Sequence, residues 1–241
     1  MNLKNVAFVA GLLASTSAFA ADLPARTNAA APAFAAPATW SGAYVGLVAG
    51  AGLLSSTLDD KNCNLSCSSL SLSNAGVSGG LTLGYNFQVG RNTVLGLEAD
   101  YAMTSFKKTL VDADWGSDGT RHLVQWNAVA TLRARAGLAV DQTLIYATAG
   151  LALVDQKATG AYNANGDCNG VCFKQDGYRT GFAGGVGVEY ALGRNLSLKG
   201  EYLYISLPGK QSQDLVRTNA YDMYGVKSDA QQGRLGVNYR F

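Results

Sequence analysis

The last nine residues, Gly233-Arg-Leu-Gly-Val-Asn-Tyr-Arg-Phe241, alternate without a break. Leu235, Val237, Tyr239 and Phe241 fall on one parity, and Arg234, Gly236, Asn238 and Arg240 on the other. Side chains of a strand point to opposite faces in turn, so this split describes a strand whose two faces meet different surroundings. The aromatic residues gather at the terminal end of the apolar face, where a membrane–water interface would hold them.

The other end of the chain gives an address. Lys4 supplies a positive charge, Val6 to Leu13 an apolar run, and Ser17-Ala-Phe-Ala20 an Ala-x-Ala cleavage site. The run is too short to span a bilayer, so residues 1–20 read as a secretory signal peptide. No later segment offers the ~18 consecutive apolar residues of a spanning helix. Residues 21–39 are rich in alanine and proline and lack periodicity, which suits a periplasmic tether. The formal charge of +2 and the lack of a basic stripe exclude a nucleic-acid partner. Glycine is abundant at 29 residues against a usual share of ~7%, and proline is scarce at four. That balance favours long, curved sheet.

The C-terminal pattern recurs seven times upstream. The segments are Trp40–Gly52, Val77–Gly90, Thr93–Thr104, Leu123–Leu138, Thr143–Asp155, Tyr178–Leu192 and Leu196–Leu207. Each is long enough for a tilted membrane strand of ~9–11 residues. In the fourth, Trp126 and the alternating alanines and Leu132 are expected to face outward and Arg133 and Arg135 inward. Connections alternate between short turns near Gly90, Asp141 and Gly193 and long loops at 53–76, 107–121, 156–177 and 208–229. The fold class that follows is all-β: an eight-stranded antiparallel up-and-down transmembrane barrel over residues 40–241. Its short turns are periplasmic and its four long loops extracellular. A soluble barrel of lipocalin type has the same strand count, with the bulky apolar set inside. The export signal, the aromatic residues near strand ends and the small lumen of eight strands place the glycine-rich, charged set inside instead.

The segments WSGAYVGLVAGAG, LTLGYNFQ, LGLEADY, LRARAGLA, IYATAGLAL, GGVGVEYAL, LSLKGEYLYI and GRLGVNYRF resemble the small porin-like outer-membrane antigens of the opacity and outer-membrane β-barrel families of Gram-negative bacteria. The resemblance covers nearly all of 40–241 and is more specific for fold than for task. It implies an outer-membrane location, a lipid environment and a monomer. It also implies periplasmic chaperones and the barrel-assembly machinery as partners in biogenesis, with Tyr239 and Phe241 as the assembly signal. Members are described as structural, adhesive or haem-binding. The peptidoglycan-binding domain that two-domain relatives carry after the barrel is expected to be missing.

The best-defined constellation is the set of charges on inward parity: Glu98, Asp100, Glu189 and Glu201 with Arg133, Arg135, Lys199, Arg234 and Arg240. Charges removed from water need partners. Strand neighbours suggest Glu98 and Asp100 for Arg133 and Arg135, and Glu189 and Glu201 for Lys199 and Arg234. Such a network is either a plug that fills and stiffens the lumen or a narrow ion path that opens when pairs rearrange. The function expected is structural and surface-exposed, with at most a narrow porin-like pore. The alternative is a binding module in which the outer loops serve adhesion or haem capture.

Cys63 and Cys67, and Cys168 and Cys172, fall in two long loops of an exported chain, where disulfides form. Three connectivities are possible, and the two local pairs need the shortest loop closure. A metal site is not expected from them. His122, Tyr162 and Tyr221 are the residues that could serve haem, although no cofactor is expected. Asp112, Asp114, Asp118 and His122 share the second loop, but no catalytic motif organises them, so an enzyme is not expected.

Overall fold

The computed structural model describes residues 39–60, 70–112, 120–161, 172–213 and 223–241. The strands are β1 (Gly42–Asp60), β2 (Leu70–Val89), β3 (Thr93–Thr104), β4 (Lys107–Asp112), β5 (Thr120–Val140), β6 (Thr143–Ala161), β7 (Cys172–Ala191), β8 (Leu196–Gln213) and β9 (Met223–Arg240). β3 and β4 pair with successive stretches of β5, so they form one stave interrupted at Ser105 and Phe106. β9 returns to β1, from Tyr44↔Arg240 to Asp60↔Tyr224, and every pairing is antiparallel. The result is a closed ring of eight staves.

The three short turns come from local chemistry. Gly90 (φ 75°) and Asp141 (φ 53°) take left-handed backbone, which glycine adopts freely and aspartate tolerates. Each turn is also tied to the next stave. The carbonyls of Asn92, Gln142 and Asn195 accept from the amides of Ala139 (2.6 Å), Ala191 (2.8 Å) and Arg240 (2.7 Å).

Alternation is the organising rule around the ring. Leu47 (65% exposed), Leu83, Leu97, Leu132, Ile145, Val186, Leu198 and Leu235 project outward, while Glu98 and Arg133 are fully buried inside. A soluble barrel would reverse this. A continuous apolar exterior over a charged interior belongs in lipid. Leu97 pairs with Tyr85 on one side and Ala134 on the other, in the middle of that exterior. Leu97→Arg is expected to destabilise the barrel by about 2–4 kcal/mol in bilayers. Urea titration of the refolded protein measures this, and a neutral result would move Leu97 out of the apolar band.

Three sequence expectations need correction. First, the strands run past the lipid: β1, β2, β5, β6 and β7 have 19 to 21 residues. Much of what reads as long loop is therefore paired strand, and Lys107–Asp112 is a strand of its own. The apolar alternation fades there because water replaces lipid outside, while the backbone ladder continues.

Second, Trp126 points inward and is 0% exposed. The β5–β6 register shifts between Trp126 and Ala128. A bulge of this kind inverts parity, so Val124 and Trp126 before it and Val129, Thr131 and Arg133 after it all face the lumen. Third, Trp40 is not the first residue of a strand. It lies buried just before β1, with its amide donating to Gln88 Oε1 at 3.1 Å.

The ring also divides at its outer end. The β2–β3 ladder stops at Ser78↔Thr104, and the β7–β8 ladder stops at Phe182↔Ser206. Beyond those points β2, β1, β9 and β8 continue as one four-stranded sheet, and β4, β5, β6 and β7 as another. Among the described residues no backbone ladder joins the two sheets at that height. At the base of each gap a side chain spans it: Asn74 Nδ2 donates to the Lys107 carbonyl, and Arg179 Nη2 to the Pro208 carbonyl at 2.6 Å.

Candidate functional site

The lumen is filled in three layers, of which the middle one is ionic. Arg133, from β5, is its hub. Nη2 lies 2.6 Å from Glu98 Oε1 and 2.5 Å from Asp100 Oδ2, and Nη1 lies 2.6 Å from Glu201 Oε1. Nη1 also donates to Thr148 Oγ1 (2.8 Å) and Nε to Thr131 Oγ1 (3.2 Å). The flat fork of a guanidinium suits such multiple pairing.

Around this hub, Lys199 Nζ reaches Glu98 Oε2 at 3.0 Å, and Tyr44 donates to the same oxygen at 2.8 Å. Arg234 pairs with Glu201 and lies 3.6 Å from Asp100. Asp100 further accepts from Thr131 (2.8 Å) and Thr82. Arg135 pairs with Glu189, whose other oxygen accepts from Ser197 (2.5 Å) and Asn238 (2.9 Å). Four carboxylates (Glu98, Asp100, Glu189, Glu201) thus face four cations (Arg133, Arg135, Lys199, Arg234), a formal balance of zero.

Arg135 is also held between aromatic rings. Its guanidinium carbon stands 3.7 Å from the Tyr146 centroid and 5.9 Å from that of Tyr44. Both rings lie over a glycine of the neighbouring strand. A Cβ on Gly84 would come within 2.5 Å of Tyr44 Cζ, and one on Gly187 within 2.5 Å of Tyr146 Cζ. Those two glycines make room for the rings that hold the cation.

The layers on either side are apolar. Toward the outer end Leu54, Phe106, Trp126, Val129, Ala152, Val154, Ala183, Leu203, Ile205, Leu207 and Ala230 form one buried cluster. Phe106 and Trp126 meet edge to face with centroids 6.4 Å apart. Gly76 of β2 lies under the Phe106 ring, 2.5 Å from where its Cβ would stand. Every stave therefore meets this layer. Toward the short-turn end Trp40, Val94, Ala139, Leu144, Tyr146 and Ala191 form a second cluster.

Of the nine charges on inward parity, eight come together in the middle layer. Arg240 stands apart. Its guanidinium stacks on Trp40 with 4.6 Å to the ring and donates to the Thr39 carbonyl, at the short-turn mouth. Strand adjacency is right for Arg133 with Glu98 and Asp100 and for Arg234 with Glu201, but other partners lie across the ring. Lys199 pairs across the lumen with Glu98, although it sits beside Glu189 in the ladder. Arg133 reaches across to Glu201 and Arg135 to Glu189. Eight strands enclose a space so narrow that long side chains meet their opposite numbers.

Tyr146 and Thr148 were legible in principle, since their parity is that of Tyr44 and Arg133 rather than of Ile145 and Ala147. Cys63, Cys67, Cys168, Tyr162, Tyr221, Asp114 and Asp118 lie outside the described residues. Cys172, Asp112 and His122 are described in their backbone only, in β7, β4 and β5. Tyr239 and Phe241 meet edge to face, 5.3 Å apart on the outer surface, and the Phe241 amide donates to Ala43 at 3.0 Å.

Comparison with known proteins fits this geometry. The family model described as the outer membrane protein beta-barrel domain matches residues 6–241. The 31 kDa outer-membrane immunogenic protein of Brucella melitensis is 33% identical over 98% of this chain and 98% of its own. The 25 kDa outer-membrane immunogenic protein of the same organism is 28% identical over 99% of each chain. Among solved structures, the outer membrane protein OprG of Pseudomonas aeruginosa superposes with a TM-score of 0.50, at 13% identity. That superposition spans 85% of this chain and 98% of OprG, and it speaks for the fold alone.

Proposed function

This chain belongs to the outer membrane protein beta-barrel domain family, and from that membership we propose that it is a sealed barrel, structural and surface-presenting, whose lumen conducts nothing. The observation behind this reading is the layering of the lumen. An ionic layer with four charges of each sign lies between two apolar clusters. An ion crossing it would have to shed its hydration against leucine, phenylalanine and tryptophan on one side and tryptophan and tyrosine on the other. It would also have to separate buried ion pairs on the way. In this role the charge network acts as an internal strut that holds the staves in register. A slip of one residue in β3, β5, β7, β8 or β9 would turn that strand's share of the charges toward lipid.

The remaining parts take their places around that role. Residues 1–20 direct export and are removed, and 21–39 tether the barrel on the periplasmic side. Tyr239 and Phe241 form the outward aromatic signal read by the assembly machinery. The extracellular strands and the cysteine-bearing segments present the antigenic surface, with local Cys63–Cys67 and Cys168–Cys172 bridges. No catalysis is assigned to it.

Planar-bilayer recording of the refolded protein tests the reading. The wild type is expected to give no discrete current steps, and none is expected for Arg135→Ala, which leaves both apolar clusters in place. Reproducible single-channel steps from the wild type would overturn the sealed-barrel proposal.

A further inference from the structure

Just outside the apolar band, the outer face of β4, β5 and β6 carries a polar rung, and two irregularities build it. The bulge between Trp126 and Ala128 turns Trp126 into the lumen and so brings Gln125 to the outer face. The break at Ser105 and Phe106 restarts pairing at Lys107↔Gln125, and on its other side Gln125 pairs with Lys157. Lys107, Gln125 and Lys157 therefore stand on one rung and face outward, with both lysines exposed. Two strand spacings separate the lysines, about 10 Å between their backbones.

Among the described residues no ion pair engages Lys107 or Lys157. Two carboxylates are near. Asp155 Oδ2 accepts from Asn127 Nδ2 at 3.1 Å, and Asn127 Oδ1 in turn accepts from Gln125 Nε2 at 2.7 Å. Asp176 stands opposite Lys157 on the β7 side, away from Lys107. Lys227, on the outer face of β9, differs from the pair, because Asp229 lies 3.9 Å from its ammonium. Toward the bilayer centre the wall below the rung is grooved. Ala128 and Ala130 of β5 and Ala99 of β3 face outward and are half-buried. Taller, exposed side chains flank them: Tyr101 and Met103 on one side and Leu153 on the other.

We propose that this rung and groove bind a phosphorylated, anionic lipid of the outer leaflet. Lys107 and Lys157 hold the headgroup phosphate from either side of Gln125, and one acyl chain lies on the alanine floor. The flexible four-carbon stems let both ammonium groups close on one phosphate. Their sign and depth suit the task, since basic residues at a membrane surface attract anionic headgroups. The groove adds selection, because a free anion has no chain to place in it. The site rests on the outer-membrane location and is independent of whether the lumen conducts.

The test is native mass spectrometry of the full-length mature protein in detergent, titrated with diphosphoryl lipid A. The wild type is expected to show saturable binding of the lipid. The double variant Lys107→Gln, Lys157→Gln is expected to bind about tenfold more weakly or worse. Ala130→Leu, which raises the groove floor, is expected to weaken binding as well. These side chains face outward, so the variants keep the core, and circular dichroism checks their folding. Lys227→Gln is expected to bind as the wild type does. Zwitterionic phosphatidylcholine is expected to bind weakly, and inorganic phosphate is expected not to displace lipid A. Equal binding by the double variant, or an equal loss in Lys227→Gln, would overturn the proposal. So would phosphatidylcholine binding as tight as that of lipid A. Unchanged binding by Ala130→Leu, or displacement by inorganic phosphate, would remove the lipid and leave a surface anion site only.

Discussion

Arg133→Ala is expected to destabilise the barrel by about 3–5 kcal/mol, the cost of removing one member of a buried ionic set. The substitution strands three carboxylates at once, because Glu98, Asp100 and Glu201 all lie within 2.6 Å of the guanidinium. Lys199 and Arg234 remain, but each is already committed, to Glu98 and to Glu201. The layer is left with four negative charges against three positive ones, none of them in contact with bulk water. Adding Glu201→Gln restores the count and is expected to recover part of the loss. Urea unfolding of the wild type, both single variants and the double variant gives the coupling between the two residues. A loss within about 1 kcal/mol for Arg133→Ala, the value of an exposed pair, would show that water reaches the layer.

Trp126→Ala is the second large effect, with an expected loss of about 3–5 kcal/mol, typical of truncating a buried large aromatic. The indole is fully buried beside Phe106, and the layer it helps to fill has no other ring of that size. Its Nε1 has no hydrogen-bond partner among the described groups, as befits a ring surrounded by aliphatic side chains. Trp126→Phe should therefore be far milder, since it keeps most of the ring and removes the orphaned donor. The same unfolding assay measures both. Equal effects of alanine and phenylalanine, both small, would mean that the ring faces lipid, where truncation leaves no cavity.

Trp126 also marks where the sequence stops being readable. The strand from Thr120 to Val140 has alternation on both sides of Asn127, but the two halves are out of phase. With apolar residues on both parities before the bulge, period-two reasoning has nothing to detect there, and Trp126 falls on the wrong face. The middle of the lumen was legible for the opposite reason. A glutamate or arginine in an otherwise apolar membrane strand has one affordable direction, and parity gives it. The apolar ends of the lumen were not legible. Leu203, Ile205 and Leu207 on inward parity alternate with Tyr202 and Tyr204 outward, so both faces of that stretch look alike in sequence. Partner choice within the ionic layer depends on how far side chains reach across a closed ring, which no single strand encodes. The upper strands were hidden because alternation reports on lipid and lumen, and it disappears where both faces meet water while the hydrogen-bond ladder goes on.

The seam where Arg240 stacks on Trp40 and the β9 ladder meets β1 has a consequence for manufacture. The last strand to leave the ribosome is the one that the first strand must pair with. A chain interrupted anywhere short of β9 has a bare β1 edge and an unfilled side to its ionic layer, since Arg234 and Asn238 arrive with that strand. Such fragments cannot serve as partly working versions of the whole. Closure is all or nothing by geometry: the upstream staves form an open sheet until the eighteen residues of β9 pair with β1.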